Sequence, residues 1–408
     1  MIVNRKTSTT RYLATITALV VTTATLTACG GGGGADTKTG FGGSGDPPPP
    51  ATALTAAGPL SAVGVAAIAA TGLDDRASPI FINTLASQSF NALKLGMVAE
   101  VTGTIPANST SATAGTATNI IVQSSVVGAV SSVDLANQRI TILPLTVQAD
   151  QNTIFEGFSS LANLSAGTRV EVYGLPQPEI RTVLAARMIA LPAVAGAPVE
   201  LIGTANNVSP FQFTLQGVTV SIANLTSVIT PAGVAQGTAS IVENARVRVQ
   251  GNYASGSNSL LATQVVTGIP VTRNDNTIIV LDGIVQSVGA NGRFRLGDTD
   301  VETNATNAAS ATVGARVQVK GQKTAGVLVA TDFRRVATGE RLQYVIQGEI
   351  TGFVSSANFT VRGESINAFN ATFVGGTASN LVNGRAVRIK AQVNAGRLEA
   401  TEVSFVTS

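Results

Sequence analysis

Asp298, Asp300 and Glu302 stand at i, i+2 and i+4, a spacing that puts three carboxylates on one face of an extended strand. Three such groups suit a hard cation such as calcium. The same spacing also describes the solvated face of a strand that begins at the turn after Gly297. The matching stretches from Gly217 to Ile222 and from Gly363 to Asn367 do not keep the acids, which favours the solvated face. A second set is basic: Arg246 and Arg248, Arg316 and Lys320, and Arg385, Arg388 and Lys390 recur at related positions. Aligned, they would form a stripe for an anionic glycan or a lipid headgroup; unaligned, they are solubilising charge that keeps strand faces apart. Glu100 and Glu171 interrupt the set. The remaining inventory is thin. Histidine and tryptophan are absent and charged residues make up 12% of the chain. The commonest general base and the imidazole metal ligand are therefore missing. No catalytic residue and no cofactor is expected, and the chain reads as a non-enzyme.

The single cysteine, Cys29, closes the run Leu26-Thr27-Ala28-Cys29. Arg5, Lys6 and Arg11 precede an uncharged stretch from Tyr12 to Leu26, the make-up of a secretory leader. The ending resembles the lipobox of bacterial lipoproteins. That resemblance implies cleavage before Cys29, a diacylglycerol on its thiol (with palmitate as the usual label) and attachment to a membrane of the cell envelope. Gly30 rather than an aspartate follows the cysteine, which points to the outer membrane. The full chain has 26 Lys+Arg against 23 Asp+Glu, and the three basic residues of the leader account for the whole excess. A mature chain of balanced charge gives no electrostatic case for nucleic acid. Gly30 to Gly34 and Pro47 to Pro50 bracket a stretch fit for a flexible and then stiffer tether. Ala51 to Leu73 is uncharged but rich in Ala, Thr and Gly, and reads as linker followed by a first strand from Val63 to Ala69 rather than as a membrane span.

Beyond the tether the chain repeats itself. The segment Gly96 to Gly103 returns as Gly167 to Gly174, Asn244 to Gly251, Gly314 to Gly321 and Gly384 to Ala391, with end positions 71, 77, 70 and 70 residues apart. Val170 and Val172, Val247 and Val249, and Val317 and Val319 alternate with polar residues, the period of a half-buried strand. The bracketing glycines suit turns or bulges. A strand opening on Gly128, Gly203, Gly283 or Gly348 precedes each segment. A second strand such as Phe213 to Leu215, Phe294 to Leu296 or Phe359 to Val361 follows, then a glycine that suits a hairpin. A closing strand carries an alanine near its start, as in Ala262, Ala330 and Ala400. Ala185 to Ala190 has the look of a short helix, but its place in the cycle assigns it to this closing strand. Phe211, Phe213, Phe294, Phe359, Phe369 and Phe373 are expected to fill the cores.

Five or six short strands in 65–75 residues point to a small closed barrel or a tightly curled sheet, and closure also removes exposed edges. The predicted fold is all-β: about five OB-like antiparallel barrels in tandem, arranged as beads on a string with some packing between neighbours. The expected boundaries are a leader at 1–28, a tether at 29–57, and repeats at 58–122, 123–195, 196–270, 271–338 and 339–408. The cycle of a Gly-x-Val strand, a Phe-x-Val hairpin, Gly-x-x-Val-x-Val-x-Gly and Leu-x-Ala-x-x-Val resembles the bacterial repeat termed domain of unknown function 5666. That family resemblance implies exported lipoproteins with tandem β units and brings no catalytic residue. The expected function is a lipid-anchored envelope protein serving as a binding or spacer module, with an envelope protein or glycan as partner. The alternative is a periplasmic or surface receptor for a small ligand, glycan or divalent cation.

Overall fold

The computed structural model describes residues 51–63, 66–68, 71–74, 78–83, 88–105, 115–269 and 273–406. The leader, Cys29 and the glycine and proline runs lie outside the described residues.

Five repeats share one wiring. In repeat 2 the strands are Val126–Asp134, Arg139–Ile142, Leu145–Gln148, Arg169–Gln177 and Thr182–Ala190. The first pairs with the second, the second with the third, the fifth with the fourth and the fourth with the first, all antiparallel. The third and fifth run parallel and close the barrel. This circuit, 1-2-3-5-4-1 with a short helical turn at Leu161–Asn163 before the fourth strand, is OB-like. Repeats 3, 4 and 5 follow it, with fourth strands Arg246–Ala254, Arg316–Thr324 and Ala386–Asn394. The stretch from Ala185 to Ala190 is strand, as its place in the cycle requires.

The repeated Val-x-Val-x-Gly segment has a local cause. Each fourth strand slips register against its closing strand at the final glycine, between Thr102 and Gly103, Tyr173 and Gly174, Gln250 and Gly251, and Lys320 and Gly321. At Gly251 an added Cβ would stand 2.1 Å from the Leu261 carbonyl oxygen, and at Gly321 the same distance from that of Val329. The bulge bends the strand round the barrel, and at Gly251 and Gly321 the missing side chain lets the closing strand come so near. Repeat 5 keeps the slip with Ala391 at this place.

Inside, alternation works as the sequence implies. Val170, Val172, Val247, Val249, Val317, Phe213 and Phe359 are fully buried, and Val319 and Phe294 nearly so. Not every phenylalanine joins them. Phe211 and Phe369 are 73% and 70% exposed, because both fall in the turns just outside a strand rather than on its inward face. Phe373 is half-buried and stacks on Phe405.

Repeat 1 departs from expectation. Its first strand is Thr52–Pro59, which starts inside the stretch assigned to the tether and pairs along its whole length with Val98–Ile105. The expected first strand from Val63 is instead a small hairpin, Ala62–Val63 against Ala66–Ile68. The run was misread because Ala, Thr and Gly look like linker. Their small size serves another end, since Thr52–Pro59 is flanked by strands on both edges. On one lies its own barrel. On the other, Leu54 to Ala57 pair in parallel with Ile278 to Leu281, the first strand of repeat 4. A Cβ on Gly58 would meet the Asp282 Cβ at 2.8 Å.

The expected string of beads is therefore corrected. Repeat 1 also pairs with the first strand of repeat 5, Ala62 with Val345 and Val63 with Ile346. Repeats 2 and 3 join through Val126 and Val127 against Leu201 and Glu200. One apolar core runs through repeats 1 and 5, a second through repeats 2 and 3, and repeat 4 keeps its own. Barrels of this size bury only about 60% of their unfolded surface alone, and docking removes more of it from water.

Candidate functional site

Charged side chains gather where the barrels meet. Arg187, 1% exposed, rises from the closing strand of repeat 2. Its guanidinium donates to both oxygens of Glu364 in repeat 5 at 2.9–3.1 Å, to Glu156 through Nε at 3.1 Å, and to the carbonyl of Leu95 in repeat 1 at 2.9 Å. The Leu95 amide donates to the same Glu364 at 2.9 Å, and Lys94 completes the set on Glu156. Burial alone would push the Arg187 pKa down, but the two carboxylates outweigh it and hold the charge. Burial likewise pushes the Glu156 carboxyl up, and Arg187 and Lys94 outweigh that, leaving it below the usual range.

Two further junctions repeat the theme. Arg248, 6% exposed, binds Glu200 through Nε at 3.1 Å and reaches the Asn83 carbonyl of repeat 1 at 2.7 Å. Glu100 of repeat 1, 8% exposed, faces Arg246 of repeat 3 and Arg273, which precedes the first strand of repeat 4. Burial lowers the pKa of both arginines, and Glu100 offsets this only in part.

The basic residues are divided among separate partners. The polar faces of the valine strands in repeats 3 and 4 look into junctions: Arg316 makes a bidentate pair with Asp282 at 2.8 and 2.9 Å. In repeat 5, Lys390 pairs with Glu402 at 2.9 Å and Arg385 sits over the Phe405 ring.

The three candidate carboxylates are also spoken for. Antiparallel register sets Glu302 opposite Arg293 and Asp300 opposite Arg295, with contacts of 2.8 and 3.9 Å. Asp298 turns away to Arg273. Each acid meets its own arginine, and Asp300 and Glu302 lie on the solvated face of their strand. Among the described residues no three acids, histidines or cysteines come together as a metal cage.

Sequence reasoning missed a feature with room for a ligand. A cavity of about 640 Å³ lies where repeats 1, 4 and 5 converge. Pro59 and Ser61 to Val63 border it from repeat 1, Asp282, Arg316, Gln318 and Arg334 from repeat 4. The connection and first strand of repeat 5 supply Glu340, Arg341, Gln343, Tyr344 and Gln347, and its fourth strand Arg388. Asp282 is saturated by Arg316 and by Gln318 at 2.8 Å. Glu340 pairs with Arg334. Arg341 donates to the Val393 carbonyl at 2.6 Å and, like Arg388, makes no ion pair among the described residues. Arg388 acts at a distance on Glu402, which Lys390 already holds. The lining thus carries four arginines against two carboxylates. The Tyr344 hydroxyl is turned away, donating to the Asn152 carbonyl at 3.1 Å, and burial raises its pKa. No local motif marks this site, since its residues come from three repeats.

Cys29, the expected lipid attachment point, lies outside the described residues. Among the described residues no helix is long and apolar enough to cross a membrane. Residues 127–188, 203–266 and 347–404 each match the family described as Domain of unknown function (DUF5666). No curated protein matches the chain.

Proposed function

For this chain, a tandem-repeat protein resembling domain of unknown function 5666, we propose the role of a non-enzymatic, lipid-anchored binding module of the cell envelope. The cavity at the meeting of repeats 1, 4 and 5 carries the binding half of this reading. A passive spacer calls for barrels in a line. Barrels clasped round a shared, charged recess favour capture of a ligand. The absence of histidine and the spent state of the buried carboxylates favour binding over catalysis. The anchor half rests on Cys29 at the end of its uncharged leader, and Gly30 favours the outer membrane.

The test is metabolic labelling with radioactive palmitate, followed by envelope fractionation. The wild-type chain should take up label and sediment with membranes, and Cys29→Ser should do neither. Equal labelling of both chains would end the anchor reading.

A further inference from the structure

We propose that the cavity between repeats 1, 4 and 5 binds an acidic disaccharide carrying two carboxylates, with Arg341 and Arg388 each taking one acid group. This deepens the binding-module reading and rests on it. The argument starts from charge. Of the four arginines at the cavity, Arg316 and Arg334 are neutralised by Asp282 and Glu340. Arg341 and Arg388 are exposed to the recess without an ion pair among the described residues, so a net positive charge faces the space. A guanidinium presents a planar fork of donors that fits a carboxylate with two parallel hydrogen bonds. The two forks come from separate elements, the connection into repeat 5 and its fourth strand Ala386–Asn394. They suit one molecule with two acid groups set apart by a body, better than a single compact anion.

Size points the same way. About 640 Å³ falls within the range of about 300–1,000 Å³ for small-molecule sites, and is far more than a lone phosphate needs. The body of the ligand meets amides. Gln343 and Gln347 are exposed at the lining, and each amide offers both donors and an acceptor, the match for sugar hydroxyls. Aromatic stacking is not the mode of recognition here, because Tyr344 is the sole aromatic at the lining and is 3% exposed.

The experiment is isothermal titration of the full-length chain in detergent with digalacturonate, with maltose and inorganic phosphate as comparison ligands. Digalacturonate should bind saturably, and more weakly as salt rises. Maltose should give no heat. The double variant Arg341→Ala/Arg388→Ala should bind about tenfold more weakly or worse while keeping the strand signature of the wild type in circular dichroism. Arg388→Lys, which keeps charge and loses the fork, should fall between. No heat with digalacturonate, or equal affinity in the double variant, would overturn the assignment. Phosphate binding as tightly as digalacturonate, with the same dependence on both arginines, would overturn it too by marking a simple anion site. Palmitate labelling stays independent: a labelled chain that ignores digalacturonate keeps its anchor and loses this ligand, and the converse result does the reverse.

Discussion

The interiors of the barrels and the junctions between them are built from opposite materials. Inside, Phe213, Val247, Val249 and Phe359 exclude water and carry no charge. Between barrels, Arg187, Glu364, Asp282, Arg248 and Glu100 are almost as deeply buried, with exposures of 1–8%. One position shows how the two are linked. On each closing strand, the second residue after the conserved alanine or its equivalent faces away from the barrel just before the bulge. It is Asn119 in repeat 1, Arg187 in repeat 2, Gln264 in repeat 3, Asp332 in repeat 4 and Glu402 in repeat 5. The repeated residues build the barrel, and in repeat 2 the variable one, Arg187, reaches Glu364 of repeat 5 and Leu95 of repeat 1. Apolar packing tolerates many partners, whereas a buried charge accepts only its counter-ion, so the junctions supply register.

The contrast can be broken most forcefully at Arg187. Glu364→Ala leaves that buried guanidinium with the Glu156 carboxylate and the Leu95 carbonyl, and should cost about 3–5 kcal/mol in urea unfolding. Replacing both partners, Arg187→Met with Glu364→Met, should restore most of the loss. If the single variant loses less than about 1 kcal/mol, the junction does not hold the barrels. A break inside a barrel comes next. Gly251→Ala drives a Cβ against the Leu261 carbonyl and should cost about 3 kcal/mol, whereas Ala391→Gly at the matching place should cost about 1 kcal/mol. Similar losses at both positions would show that the Gly251 bulge is no tighter than the one at Ala391.

The smallest effect is a matter of pH. Glu156 has its folded pKa held below the ordinary 4.5. Its contribution is therefore complete above about pH 4.5 and is lost as pH falls through the lower folded value. Thermal melts from pH 7 to pH 3 should show stability falling in that acid window, with a shallower fall in Glu156→Gln. Equal slopes in the two proteins would mean that Glu156 does not report on the junction.

The barrel was legible because its causes are local. Alternating valines and a glycine at the bulge repeat within each unit, and so does the wiring that follows from them. The junctions were not legible for the same reason turned round. Arg187 and Glu364 lie in different repeats, and a lone arginine in an apolar strand announces no partner. For Asp298, Asp300 and Glu302 the spacing gave the shared strand face but is silent about the arginines opposite Asp300 and Glu302. Thr52–Pro59 was hidden by composition, since small residues that let two strands approach also resemble a linker. Phe211 and Phe369 were placed inside on residue type, when their turns set them outside.

The parallel seam between Leu54–Ala57 and Ile278–Leu281 has a consequence for the order of assembly. A chain made from its N-terminus presents the first of these strands early, while its outer neighbour is still three repeats away. Until then one edge of Thr52–Pro59 offers unpaired amides and carbonyls, a surface prone to pairing with the wrong chain. The last long-range closure is slow, because the ends it joins are far apart along the chain. Fragments cut at repeat boundaries would keep that edge open for good. The molecule is in this sense a clasp rather than a necklace, finished only when its tail folds back onto its head.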